Sequence, residues 1–177
     1  VACAKALRSM GESAHEAIPA LTQGLQDWDS DVRGACAEVL GNMGGSAREA
    51  IPALIRGLQD WDSDVRAACA NALGNIGEAA HEAIPALTRG LQNRDSDVRA
   101  ACANALGSIG KPGIFALIRG LQDWDSDVRA ACANALGSIG KLAVPALIQG
   151  LQDKSWKVRQ GCAEALGKMG GAAHEAI

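Results

Sequence analysis

The sequence has no excess of positive charge. Seventeen Lys and Arg stand against 20 Asp and Glu, giving a formal net charge of −3 and a pI of about 5.6. Nucleic acid or an acidic membrane surface calls for a basic stripe that neutralises phosphate, and the chain has none. It also has no uninterrupted apolar run near the roughly 18 residues of a membrane span, although 48% of its residues are hydrophobic. No Ser/His/Asp arrangement, CxxC pair, phosphate-binding glycine loop or signal peptide is visible. The expectation is therefore no catalytic residue, no cofactor, no metal, no nucleic acid and no membrane.

What the sequence does have is repetition. Residues 53–74 are identical to residues 116–137. A Val-Arg pair marks the register at Val32-Arg33, Val65-Arg66, Val98-Arg99, Val128-Arg129 and Val158-Arg159, with spacings of 33, 33, 30 and 30. The six cysteines, Cys3, Cys36, Cys69, Cys102, Cys132 and Cys162, keep the same register. Periods in this range belong to solenoids of stacked helix pairs. The array reads as one domain over 1–177. It comprises a truncated unit 1–11, full units at about 12–44, 45–77, 78–110, 111–140 and 141–170, and a partial unit 171–177.

Each unit reads as two helices. In the second, Val65, Ala68, Cys69, Ala72, Leu73 and Ile76 place an apolar stripe on one face. Asp62 stands at the N-cap, Asp64 favours the first turn through the helix dipole, and Gly77 closes the helix. In the first, Ile51, Leu54, Ile55 and Leu58 give the stripe, and Pro52 fits the opening turn. Neither helix can bury its stripe alone, so stacked pairs must bury both. The cysteines fall on the second stripe, where they read as buried, reduced small hydrophobes in a cytoplasmic protein.

The pattern Pro52…Leu58-x-Asp60…Val65-Arg66…Ala68…Ala72-Leu73-Gly74-x-Ile76-Gly77 resembles a HEAT repeat. It is most similar to the short HEAT-like subclass associated with phycobilisome lyases. The resemblance covers essentially the whole chain. It implies an all-α, right-handed superhelix whose concave face, lined by second helices, binds another protein or peptide. It also implies a hydrogen-bonded ladder between neighbouring units. The ladder residues are Asp27 and Arg33, Asp60 and Arg66, Asn93 and Arg99, Asp123 and Arg129, and Asp153 and Arg159. A guanidinium can bridge a carboxylate and a carbonyl at once. Asn93 keeps an acceptor but loses the charge, so its rung should be the weakest.

On the concave face the position six after the marker Val reads Lys5, Glu38, Asn71, Asn104, Asn134 and Glu164. The position ten after it reads Asn42, Asn75, Ser108, Ser138 and Lys168. This is a polar, largely neutral surface, either a solvated helix face or a binding face. Trp28, Trp61 and Trp124 share one turn before the N-cap, where Arg94 replaces Trp in one unit and Trp156 lies two places later in another. They either pack over the turn, stacked on a nearby Arg, or form a row of binding anchors.

Two further patterns are set aside on physical grounds. Asp27-Trp28-Asp29-Ser30-Asp31, with Glu38 at the twelfth position, superficially matches a calcium loop. It has Val32 where such a loop needs Gly, so the carboxylates read as helix caps. His15-Glu16, His81-Glu82 and His174-Glu175 resemble the pairs of a di-iron HEAT enzyme. Neighbouring pairs stand at least two units, about 20 Å, apart and cannot share one metal.

The function expected is a non-enzymatic protein-binding scaffold. A phycobilin lyase-like subunit or chromophore-protein chaperone, and the sensor arm of a signalling protein, are the alternatives. Without polar caps, the two ends are expected to self-associate weakly or to fray.

Overall fold

The computed structural model describes residues 13–169. Within them all regular structure is helical, and the helices stack as a right-handed superhelix. The helices are α1 (Ser13–Glu16), α2 (Ile18–Gly24), α3 (Ser30–Asn42), α4 (Ile51–Gly57), α5 (Ser63–Ile76) and α6 (Ile84–Gly90). They continue with α7 (Ser96–Ile109), α8 (Ile114–Gly120), α9 (Ser126–Ile139), α10 (Val144–Gly150) and α11 (Trp156–Lys168). From α2 onward a short helix alternates with a long one, and each short–long pair is one repeat. The expectations made for residues 1–11 and 171–177, including Cys3, Lys5, His174 and the exposed ends, lie outside the described residues.

The long helices begin where the sequence places a cap. Asp62 is extended (φ −89°, ψ 131°), and its side chain accepts from the N–H groups of Asp64 and Val65. Asp29, Asp95 and Asp125 cap their helices from the same position. Ser155, which takes this position before α11, makes no side-chain cap bond. The long helices α5, α7 and α9 end at glycines with positive φ, namely Gly77 (75°), Gly110 (110°) and Gly140 (118°), a region costly for any residue with a Cβ.

The short helices hold only seven residues each, too few to stand without packing. They open on a proline except in α8, where Phe115 takes its place and points into solvent, 77% exposed. The connections between repeats are 3-10 helices. They are seven residues long at Gly44–Ala50 and Gly77–Ala83, and three at Lys111–Gly113 and Lys141–Ala143. The longer ones break at Ala47 and Ala80. The change of spacing from 33 to 30 is thus a shortened 3-10 segment, and the long helices keep their length.

Two glycine rows set the layer spacings. Gly24, Gly57, Gly90, Gly120 and Gly150 end the short helices, and a Cβ on any of them would overlap the Sγ of Cys36, Cys69, Cys102, Cys132 or Cys162. Each cysteine fills the space its glycine leaves. The other row lies between repeats. A Cβ on Gly41, Gly74, Gly107 or Gly137 would come within 2.7, 2.9, 2.8 and 2.8 Å of the Cα of Ala72, Ala105, Ala135 and Ala165. Successive long helices therefore pack backbone to backbone along their length, while successive short helices scarcely meet. The closely spaced layer is the inside of the curve, so the long helices line the concave side. Leu40, Leu54, Leu73, Leu87, Leu106, Leu117, Leu136 and Leu147 are fully buried between the layers.

Candidate functional site

The ladder residues converge at the joints between repeats. Arg33 is buried on α3, and its Nε and Nη2 donate to Asp60 Oδ2 and Oδ1 of the next repeat at 2.7 and 2.8 Å. Its Nη1 donates to the carbonyls of Asp27 and Trp28 in its own repeat. Arg99 grips Asp123 in the same two-bond manner at 2.8 and 3.0 Å, and Arg129 grips Asp153 at 3.0 and 3.2 Å. Each aspartate also accepts the backbone N–H two residues on, from Asp62, Asp125 and Ser155. One carboxylate thus joins the arginine of the preceding repeat to the turn that starts its own long helix.

Burial by itself would raise the Asp60 carboxyl. The Arg33 hydrogen bond, the Asp62 N–H and the charges of Arg33 and Arg66 outweigh burial and hold it below the usual carboxylate range. Asp153 is lowered in the same way against its own burial, by Ser155 N–H and by Arg129.

The joint between α5 and α7 differs. Arg66 Nη1 donates to the carbonyls of Asp60 and Trp61, as in the other rungs. Its Nε is buried and has no acceptor. Asn93 stands where the aspartate stands elsewhere, and its oxygen accepts Asp95 N–H at 3.0 Å.

Two of the edge tryptophans, Trp61 and Trp124, belong to this machinery. The guanidinium of Arg33 lies 4.9 Å from the ring centroid of Trp61, and that of Arg99 lies 4.6 Å from the ring of Trp124. Each ring covers the arginine of the preceding repeat. At the Arg66 joint that place is taken by Arg94. The rings remain open to solvent on their other side; Trp28, Trp61 and Trp124 are 87%, 75% and 77% exposed.

The concave row is not uniform. Glu38, Asn71, Asn104 and Glu164 are exposed. Asn134, expected to face outward with them, is half-buried, and its Oδ1 is enclosed without a partner. The reason lies in the next long helix. Gly161 stands where other repeats have alanine, and the space of its missing Cβ lies 3.5 Å from Asn134 Oδ1. Glu164 accepts a bond from Gln160 Nε2 at 2.7 Å. Beside this row, at the first turn of α3, α5, α7 and α9, Asp31, Asp64, Asp97 and Asp127 are exposed, and Asp127 meets Nζ of Lys157, which takes this position in α11, at 2.6 Å.

The cysteines do not form a reactive set. Cys69, Cys102, Cys132 and Cys162 are buried, and Cys36 is half-buried. Burial pushes the thiols of Cys69, Cys102 and Cys132 up to about 12 and that of Cys162 to about 11. His15-Glu16 lies in α1 and His81-Glu82 in a 3-10 segment, all four exposed. Among the described residues no group of three or more His, Cys, Asp or Glu is arranged to hold a metal. The carboxylates of the calcium-like stretch are used as caps: Asp27 accepts from Asp29 N–H, and Asp29 from Asp31 N–H. No helix among the described residues is long and apolar enough to cross a membrane.

Close-packed helix pairs, a repeated inter-repeat ladder and a polar concave layer define a helical-repeat solenoid. The model of HEAT repeats matches residues 2–74, 51–116 and 114–177, and the chain belongs to that family. Among solved structures it is similar to an engineered protein at 26% identity and a TM-score of 0.67, covering 96% of this chain and 85% of that one. It is also similar to the complex of CpcE and CpcF of phycocyanin lyase from Nostoc sp. PCC7120. There the identity is 27% and the TM-score 0.72, over 85% of this chain and 64% of that one. A designed armadillo repeat protein in complex with the peptide (KR)4 shares the fold at 18% identity and a TM-score of 0.69, over 92% of this chain and 85% of that one. No curated protein matches the chain significantly.

Proposed function

We propose that the chain is a non-enzymatic scaffold that binds another protein or peptide along its concave layer of long helices. One observation carries the reading. Backbone-to-backbone packing of these helices leaves a continuous face on which Glu38, Asn71 and Asn104 stand exposed at one-repeat intervals, with Glu164 two repeats further on beyond the half-buried Asn134. Amide side chains offer both donors and acceptors, which suits an extended peptide backbone. The likeness to a designed armadillo protein bound to a peptide supports the class of partner. The phycobilin lyase-like alternative rests on the likeness to CpcE and CpcF. The exposed residues of the concave row are carboxylates and amides, with no aromatic ring to pack a chromophore.

Selection from a displayed peptide library tests the proposal without a known partner. Binders should emerge that lose at least about tenfold in affinity on Asn71→Lys with Asn104→Lys, a change of about 1.4 kcal/mol. They should keep their affinity on Trp61→Ala. Binders indifferent to the asparagines, or lost with Trp61, would move the site to the tryptophan edge.

A further inference from the structure

The joint between α5 and α7 holds a ladder arginine with no carboxylate. In the other interior rungs the Nε–Nη2 edge of Arg33, Arg99 or Arg129 closes on an aspartate. The same edge of Arg66 meets no acceptor, and its Nε is buried. Asn93 cannot repair this. Its oxygen takes Asp95 N–H, the part that Oδ1 of Asp60 and Asp123 plays at the other joints, so an amide nitrogen, itself a donor, replaces the Oδ2 that accepts the arginine Nε there. Turning the amide over would satisfy Arg66 only by orphaning Asp95 N–H.

This joint is also open. A groove of about 350 Å³ runs between α4 and α6, lined by Gln59, Asp60, Arg66, Arg89 and Asn93 among others. Similar grooves at the next two joints, of about 180 and 300 Å³, are lined by Asp123 and by Asp153 and do not reach Arg99 or Arg129. At the Arg66 joint alone of these three, the ladder arginine faces the groove. Asp60 lines it too, but its carboxylate is held by Arg33 and by Asp62 N–H. Arg66 and Arg89 bring two guanidinium groups to this groove, with the Asn93 amide beside them.

We infer that this groove is a carboxylate-binding site. A carboxylate entering between the short helices supplies the charge that the rung lacks. Its two oxygens accept from the Arg66 guanidinium where it lines the groove and from the Asn93 amide, with Arg89 beside them at the groove wall. The pairing of a guanidinium edge with a carboxylate is the one the chain itself uses at the joints on either side. The carboxylate comes from a free small acid or from an acidic side chain of a bound protein. The site is separate from the concave face and does not depend on it.

The test is side-chain NMR of the full chain, following the arginine Nε–H signals during titration with sodium acetate. Sodium chloride at matched ionic strength is the control. The Arg66 signal should move saturably while those of Arg33, Arg99 and Arg129 stay still. Asn93→Asp, which builds the missing carboxylate into the chain, should abolish the response. Acetate should also raise the Tm of the parent chain and not that of Asn93→Asp. Equal movement of all four signals, or a response that survives Asn93→Asp, would overturn the assignment. A second titration compares the peptide acetyl-Ala-Glu-Ala-amide with its Gln counterpart. Saturation by the Glu peptide at lower concentration than acetate supports a protein side chain as the source. Equal or weaker binding by the Glu peptide supports a free acid, and binding of the Gln peptide alone counts against the site.

Discussion

The repeat carrying α6 and α7 meets its two neighbours differently. On one side Arg99 closes on Asp123 and is covered by Trp124. On the other, Arg66 reaches toward Asn93 and Arg94 and finds neither carboxylate nor ring. The helix packing beneath is the same, with Gly74 on Ala105 and Gly107 on Ala135 in equally close approach. Shape complementarity of the long helices is thus sufficient to hold a joint, and the ladder sets how firmly it is held. In the ladder itself one change of two adjacent residues distinguishes the joints; the connections differ too, with seven residues of 3-10 helix at Gly77–Ala83 and three at Lys111–Gly113.

Removing the carboxylate from the complete joint should have the largest effect. Asp123→Ala leaves Arg99, 3% exposed, without its partner and should cost about 3 kcal/mol in urea denaturation. A loss under about 0.5 kcal/mol would mean that the rung contributes nothing beyond the packing. Exchanging the two joints is the next largest change. Asp123→Asn should weaken the complete joint by about 1–2 kcal/mol, and Asn93→Asp should strengthen the other by a similar amount. If both substitutions destabilise, the joints are not equivalent and the comparison fails. The covering ring should matter less. Trp124→Ala should cost about 0.5–1 kcal/mol, and Trp28→Ala, whose ring has no described arginine beneath it, should cost less.

Acid should separate the joints with the smallest signal. Asp60 and Asp153 have folded pKa values below their unfolded ones, so their stabilisation is present above the unfolded value and lost as pH falls through the folded one. Below about pH 4, amide hydrogen exchange should quicken around Asp62 and Ser155, whose N–H groups these carboxylates accept. The Asn93 turn has no carboxylate to protonate, and exchange at Asp95 N–H should follow only the general trend. Selective quickening at Asp95 would contradict this.

Much of this was legible in the residues. The Val-Arg register, the Asp caps and the stripe through Cys69 and Leu73 gave the helix pairs and the buried face, because periodicity reports local geometry directly. The pairing of each terminal glycine with a cysteine was also readable. Gly57 precedes Cys69 by 12 residues, and the same interval separates Gly24 from Cys36, Gly90 from Cys102, Gly120 from Cys132 and Gly150 from Cys162. Asn134 was not readable, since its burial depends on a glycine 27 residues later on another helix. Nor was the groove at Arg66. A sequence shows that Asn93 replaces an aspartate, but only packing shows that the short helices part there and leave the guanidinium facing a cavity.

The unequal spacing of the two helix layers has a mechanical consequence. Where backbone rests on backbone through Gly74 and Ala105, nothing remains to be compressed. The long-helix layer therefore behaves as the neutral surface of a bent beam, fixed in length while the curvature changes. Any bending has to be taken up on the other side, where successive short helices scarcely meet and are free to open and close like the pleats of a bellows. A partner on the inner strip would meet groups at constant pitch however the array flexes. A ligand wedged between two pleats would set the local radius without disturbing that pitch.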